Sequence, residues 1–232
     1  FEYPGDDHYS ANSTSIIVNI IKANATVNGT IANITYGVNT TVGVNVTGVE
    51  GTNLSGDVTV TINGTKWNHT INGHVNPEGV WNVDLGILPA GNYTAFIEYL
   101  GNNNYTQANT TVKFYIVKAN ATVNGTIANI TYGVNTTVGV NVTGVEGTNL
   151  SGDVTVTING TKWNHTINGH VNPEGVWNVD LGILPAGNYT AFIEYLGNNN
   201  YTQANTTVKF YIVKANATVN GTIANITYGE NA

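Results

Sequence analysis

The chain has no cysteine and no methionine, and only 9% of its 232 residues are charged, against about 25% in an average soluble domain. Without cysteine there are no disulfides, no thiolate metal sites and no cysteine nucleophiles. Seven Lys and Arg against fourteen Asp and Glu give a net charge of -7, so there is no basic surface for nucleic acid or an anionic membrane. No apolar run approaches the ~18 residues of a membrane span, which argues against membrane insertion of this segment. No signal peptide is legible and the first residue is Phe1, which suggests a mature or excerpted chain. Low charge alone would suit a disordered chain, but the patterned β-branched and aromatic residues argue for folded structure.

What is present is repetition. Residues 22–117 and 118–213 are identical at every position, a period of 96. A third copy begins at Lys214 and holds to Gly229. Residues 1–21 align with 97–117 and share Glu2, Tyr3, Gly5, Tyr9, Thr14 and Ile20 with them. The expected organisation is the last strands of a preceding module (1–21), two whole modules (22–117 and 118–213), and the first strands of a following one (214–232). The divergent ends favour a natural array over a synthetic concatemer, so the expected parent is a longer repeat protein. The alternative is that the ragged ends pair with neighbouring chains by strand donation.

Within a module no apolar period of 3.6 appears, whereas alternation is everywhere. Val42, Val44 and Val46 alternate with polar or small residues, as do Val58, Val60 and Ile62. Asn63-Gly64 reads as a two-residue hairpin turn with both residues at positive φ, Asn72-Gly73 as a strand end, and Pro77-Glu78-Gly79 as a further turn. Trp67, His69, Trp81 and Val83 fall on the inward parity, which puts both tryptophans in the core. About seven strands in 96 residues predict an all-β immunoglobulin-like sandwich, repeated in tandem. Leu88-Pro-Ala-Gly-Asn-Tyr93 resembles the tyrosine corner of such sandwiches, with Ala95 where a cysteine would stand. The junction Val117-Lys118-Ala119 has no Pro, Gly or Ser, so an elongated rod is expected, each module adding on the order of 35–40 Å.

The most informative motif is Asn-x-Ser/Thr. One module has 16 Asn and 16 Ser or Thr, for which random order would give about three such triplets. It has eleven, at Asn24, Asn28, Asn33, Asn39, Asn45, Asn53, Asn63, Asn68, Asn92, Asn104 and Asn109. The second module repeats them at Asn120, Asn124, Asn129, Asn135, Asn141, Asn149, Asn159, Asn164, Asn188, Asn200 and Asn205. Asn12, Asn216, Asn220 and Asn225 bring the total to 26. On a strand the Asn and Thr of a triplet share one face, and an apolar residue between them points inward. That pattern predicts exposed N-glycosylation sites. Asn is a poor strand former, and glycans would supply the solubility that charge does not.

Leu88-Pro-Ala-Gly-Asn-Tyr93, Tyr99-x-Gly-x-x-x-Tyr105 and the strand Val112-Lys-Phe-Tyr-Ile-Val117 leading to Lys118-Ala resemble the tandem immunoglobulin-like repeats of adhesin-like surface proteins of methanogenic archaea. The resemblance implies extracellular display at a cell surface and a scaffolding or adhesive role. The implied partners are neighbouring modules of the same or identical chains, with a cell-surface or glycan ligand as a further option.

Other chemistry is poorly supported. His69 and His74, with Glu78, are candidate metal ligands by residue type; a turn between them and the inward parity of His69 argue against it. The module junction lacks the carboxylates that calcium would need. No cofactor is expected beyond N-linked glycans. An internal Lys–Asn cross-link needs a buried lysine, but Lys66 and Lys113 fall on the outward parity and Lys22 at a boundary. Glu98 and Lys113 share an outer face and suggest a weak surface ion pair. Ser55 lacks a nucleophile-elbow context, and Glu50 and Asp57 read as loop residues without a cleft, so no enzyme is expected. Phe96 and Tyr115, with Phe192 and Tyr211, fall on the outward parity of the last hairpin. They are read either as an interface or as a cross-strand aromatic pair.

Overall fold

The structure is a computed structural model and describes residues 1–65, 67–161 and 163–229. Every regular element in it is a β-strand, and no helix among the described residues is long and apolar enough to cross a membrane. The chain divides into two compact units. One comprises Phe1–Ile34 and Val38–Ile116, and the other runs from Val117 onward and includes Thr35–Gly37.

A short hairpin, β1 (Glu2–Tyr3) with β2 (Asn12–Ser13), precedes the first module. The module's strands are β3 (Thr26–Ile31), β4 (Ile34–Thr35), β5 (Thr41–Thr47), β6 (Gly56–Gly64), β7 (Asn68–Val75), β8 (Val80–Asp84), β9 (Gly91–Tyr99) and β10 (Ala108–Val117). They form a three-stranded sheet, β3-β5-β8, and a five-stranded sheet, β4-β10-β9-β6-β7. The second module repeats this with β11 (Thr122–Ile127), β12 (Ile130–Thr131), β13 (Thr137–Thr143), β14 (Gly152–Gly160), β15 (Asn164–Val171), β16 (Val176–Asp180), β17 (Gly187–Tyr195) and β18 (Ala204–Val213). Its sheets are β11-β13-β16 and β12-β18-β17-β14-β15.

The two sheets of a module pack face to face as an immunoglobulin-like sandwich. Alternation decides which side chains lie between them. In β5, Val42, Val44 and Val46 are buried, while Thr41, Asn45 and Thr47 face water. In β9, Tyr93, Ala95, Ile97 and Tyr99 are buried. The tyrosine corner forms as read: the Tyr93 hydroxyl donates to the carbonyl oxygen of Pro89 at 2.7 Å, and the ring stacks on Phe114 at 5.1 Å. Ala95, in the cysteine position, is fully buried.

The core differs from the sequence reading in its largest members. Trp67 and Trp81 are only half-buried, because they sit at the margins of the sandwich, Trp67 in the β6–β7 connection and Trp81 on edge strand β8. Tyr99 and Tyr105 are the largest fully buried side chains of the first module. Both can be buried because their hydroxyls are satisfied. Tyr99 donates to the Leu54 carbonyl at 3.1 Å. Tyr105 accepts from the Val49 backbone N–H at 2.9 Å and also meets the Thr52 hydroxyl. Burial raises the pKa of Tyr195, the second-module counterpart of Tyr99, to about 12.

The two Asn-Gly turn readings fail for one physical reason. Asn63 and Gly64 are the last residues of β6, and Asn72 and Gly73 lie inside β7. Neither Gly64 nor Gly73 is at positive φ. A Cβ on Gly64 would lie 2.3 Å from the Tyr93 ring, and one on Gly73 would lie 2.2 Å from the Trp81 ring. These glycines are notches for aromatic rings. The hairpin is closed one step later, by the Gly64 N–H donating to the Trp67 carbonyl at 3.1 Å. The Pro77-Glu78-Gly79 turn does form, with Gly79 at φ 80° and its N–H donating to Asn76 at 2.8 Å.

Candidate functional surface

The sequons are distributed over the outside of each module. Asn28, Asn45, Asn92 and Asn109 lie on β3, β5, β9 and β10, with Asn124, Asn141, Asn188 and Asn205 at the same places in the second module. Asn63 is next to last in β6 and Asn68 begins β7, as Asn159 and Asn164 stand in β14 and β15. Asn24, Asn33, Asn39, Asn53 and Asn104 are in connections, as are Asn120, Asn129, Asn135, Asn149 and Asn200. Asn12 is in β2, and Asn216, Asn220 and Asn225 lie in a stretch without strand pairing. All 26 are exposed except Asn200, which is half-buried.

Several of these carboxamides also hold local structure, mostly through the oxygen. Asn33 Oδ1 accepts from the Tyr115 N–H at 2.9 Å, Asn53 Oδ1 from Ser55 at 2.8 Å and Asn68 Oδ1 from Gly64 at 2.9 Å. Those bonds leave the nitrogen, the atom a glycan would take, unspent. Asn39 is different, since its Nδ2 donates to Asp84 at 3.1 Å. Asparagines outside the motif do heavier structural work. Half-buried Asn102 accepts from the N–H groups of Asn104 and Tyr105 and donates to the Ser55 carbonyl at 2.9 Å.

The register separates the outward aromatics. Phe96 stands opposite Thr111 and Thr61, and Tyr115 opposite Asn92. They are not a cross-strand pair, because the hairpin sets them four residues apart. Phe96 is half-buried and Tyr115 is 48% exposed. Phe192 and Tyr211 repeat this, at half-buried and 49% exposed. The same register places Lys113 opposite Thr94 and Glu98 opposite Asn109, so the suggested Glu98–Lys113 pair does not form.

A contact that does form is the hydrogen bond between His74 Nδ1 and Asp57 Oδ1 at 2.8 Å, repeated between His170 and Asp153. Asp57 belongs to β6 and not to a loop. His69 is on the inward parity as read but is exposed, because the sandwich does not cover that end of β7; it lies 5.5 Å from the Trp67 ring. His69 and His74 are five residues apart on one strand and point to opposite faces. No group of three potential metal ligands occurs among the described residues. Lys113 is exposed, while Lys66 lies outside the described residues.

An open recess of about 560 Å³ in the first module and about 580 Å³ in the second lies between the β5–β6 connection and the β7–β8 turn. Glu50, Glu78 and Leu54 line it, and sequon residue Asn53 stands on its rim.

No protein-family model matches the sequence, and no curated protein matches it. Solved structures do. A crystal structure of a tetra-tandem repeat in the extending region of a large adhesion protein aligns at TM-score 0.44 and 16% identity, over 87% of this chain and 52% of that one. The two-domain fibronectin type III segment of chicken tenascin aligns at TM-score 0.44 and 13% identity, over 79% and 97%. Red sea bream transglutaminase aligns at TM-score 0.38 and 15% identity, over 80% of this chain; the chain spans 31% of that enzyme's length. The class that the strand order and packing define is a tandem all-β immunoglobulin-like sandwich.

Proposed function

We propose that the chain is a structural repeat segment of a long, glycosylated, extracellular surface protein, an adhesin-like stalk or filament. The observation that carries this reading is the placement of the sequons: 25 of 26 are exposed and they cover the outer faces of both sheets. A chain with so few charges needs another source of solubility, and glycans on those faces would provide it. They would also shield the edge strands β3 and β7, which carry Asn28 and Asn68, from pairing. The sequence resemblance to methanogen surface repeats supports the same role.

The test is the intact mass of the chain from its native source, before and after deglycosylation. A mass several kilodaltons above the 24.6 kDa polypeptide, falling to it on deglycosylation, is the expected result. A mass equal to the bare chain overturns the reading.

A second reading is a repeat that itself grips a ligand on a partner cell. The recess beside Glu50 and Glu78, repeated in both modules, favours it, and the sequon on its rim counts against it. Binding to cells or a glycan array that is lost in Glu50→Gln with Glu78→Gln, and in the second-module equivalents, would establish it.

A further inference from the structure

We propose that each module carries two pairs of mutually exclusive glycosylation sites, so that one glycan is attached per pair on the folded chain. The proposal rests on the glycosylated reading above. The antiparallel register sets Asn28 directly opposite Asn45 and Asn63 directly opposite Asn68. The second module repeats this with Asn124 opposite Asn141 and Asn159 opposite Asn164. All eight asparagines are exposed and lie on the outer faces.

Side chains directly opposite each other on antiparallel strands have Cβ atoms about 4.5–5.5 Å apart, and they stand roughly parallel, perpendicular to the sheet. An N-glycan continues that direction, because its first sugar is joined to a planar amide. Two glycans on one pair would therefore start side by side, with less room than two hydrated pyranose rings occupy. The other strand sequons lack this problem. Asn92 faces Tyr115, and Asn109 faces Glu98. In the second pair, Asn68 is further restrained, since its Oδ1 already accepts from the Gly64 N–H at 2.9 Å.

The sequence allows co-occupancy to be read on single molecules. Cleavage after lysine yields a peptide of residues 23–66 that holds both Asn28 and Asn45, and cleavage after acidic residues yields 58–78, which holds both Asn63 and Asn68. The experiment is site-localising fragmentation of these glycopeptides from the natively glycosylated chain. The expected result is one glycan per pair on each peptide, with Asn92 and Asn109 independently filled. With four pairs among 26 sequons, no chain should exceed 22 glycans.

In an Asn45→Gln variant (with Asn141→Gln in the second module), occupancy at Asn28 and Asn124 should rise, by up to about twofold if the two sites compete evenly. Two glycans on one pair of the same peptide would overturn the proposal, as would a pair left empty while Asn92 is filled. A chain with no glycan on any sequon overturns the underlying reading instead, and the filled or empty state of Asn92 distinguishes the two failures.

Discussion

The same sixteen residues occur three times, and in one of the three they form no strand. Residues 22–37 and 118–133 provide β3 with β4 and β11 with β12. Residues 214–229, identical in sequence, lie exposed with no strand pairing. Val27 and Val123 are 4% exposed, whereas Val219 is 93% exposed and Ile223 is 99% exposed. Propensity is constant across the three copies, so it does not make the strand. The partner does: β3 pairs with β5 along its whole length, and among the described residues the last copy pairs with no strand.

The opposite end shows what a local partner is worth. Residues 1–21 pair Glu2 with Ser13 and Tyr3 with Asn12. This is the register of Glu98 with Asn109 and Tyr99 with Ala108 in the full module. The loop survives as well. Gly5 and Gly101 share a positive φ, near 80°, and Asp6 Oδ1 accepts from the N–H groups of His8 and Tyr9 as Asn102 does from Asn104 and Tyr105. The Tyr3 hydroxyl, donating to Asp6 at 2.7 Å, together with those two N–H groups, holds the Asp6 pKa below the usual carboxylate value. A hairpin needs only its own turn, whereas β3 needs a strand ten residues further on.

The largest effect should come from removing the distant partner. Replacing Val44 and Val140 with Asp puts an unpaired charge into each core, at a cost of several kcal/mol, a large share of the roughly 5–15 that hold a domain. In the wild-type chain, amide exchange should be slow across 23–65 and 119–161 and fast in 214–229. In the variant the first two should exchange as fast as the last. Protection that survives in the variant would show that β3 holds itself.

A smaller break tests the ring notches. In Gly64→Ala the new Cβ meets the Tyr93 ring at 2.3 Å. That ring is tied to Pro89 and stacked on Phe114, so it has little freedom to give way. Overpacking of this kind costs about 1–3 kcal/mol, measurable by urea unfolding of Gly64→Ala with Gly160→Ala. A neutral result would show that the ring gives way and that Gly64 is not needed as a notch.

These particulars show what was legible in the sequence. Alternation in β5 and β6 identifies the buried faces because its period is geometric. The tyrosine corner was legible because a tyrosine and a carbonyl four residues earlier close a local bond. Asn-Gly misled because the dipeptide is ambiguous: glycine permits positive φ, but it also makes room for a ring arriving from another strand, and that ring is set by tertiary structure. The same limit explains the tryptophans, whose parity was inward but whose depth depended on where the opposite sheet ends. The sequon list came from the sequence alone; the cross-strand pairs needed the register.

Asn102→Asp, with Asn198→Asp, sharpens the comparison between the first hairpin and the module. The loop itself should tolerate it, since Asp6 already holds the equivalent turn. What is lost is the Nδ2 donation to the Ser55 carbonyl at 2.9 Å, replaced by a carboxylate facing a carbonyl oxygen. The expected cost is about 1–2 kcal/mol. The Ser55 carbonyl disfavours the charged carboxyl, while the Asn104 and Tyr105 N–H groups favour it, as their counterparts do at Asp6. The Ser55 share of the penalty is therefore full when the carboxyl is ionised at neutral pH and shrinks as it is protonated on acidification. A pH-independent penalty in thermal unfolding would place the loss in the loop and not in the contact with Ser55.

The smallest effect has the opposite sign. The Thr40 and Thr136 hydroxyls are buried and have no hydrogen-bond partner among the described residues, although the Thr40 backbone is bonded on both sides, to Gly86 and Leu85. A buried hydroxyl without a partner costs more than a methyl of the same shape. Thr40→Val with Thr136→Val should stabilise the chain by about 0.5–1 kcal/mol, a rise of a few degrees in Tm. The substitution leaves Asn39-x-Thr41 and Asn135-x-Thr137 intact as sequons, so any stability change is separable from glycosylation. A fall in Tm would mean that the hydroxyl is satisfied in solution, by a water bound at that point between β4 and β5.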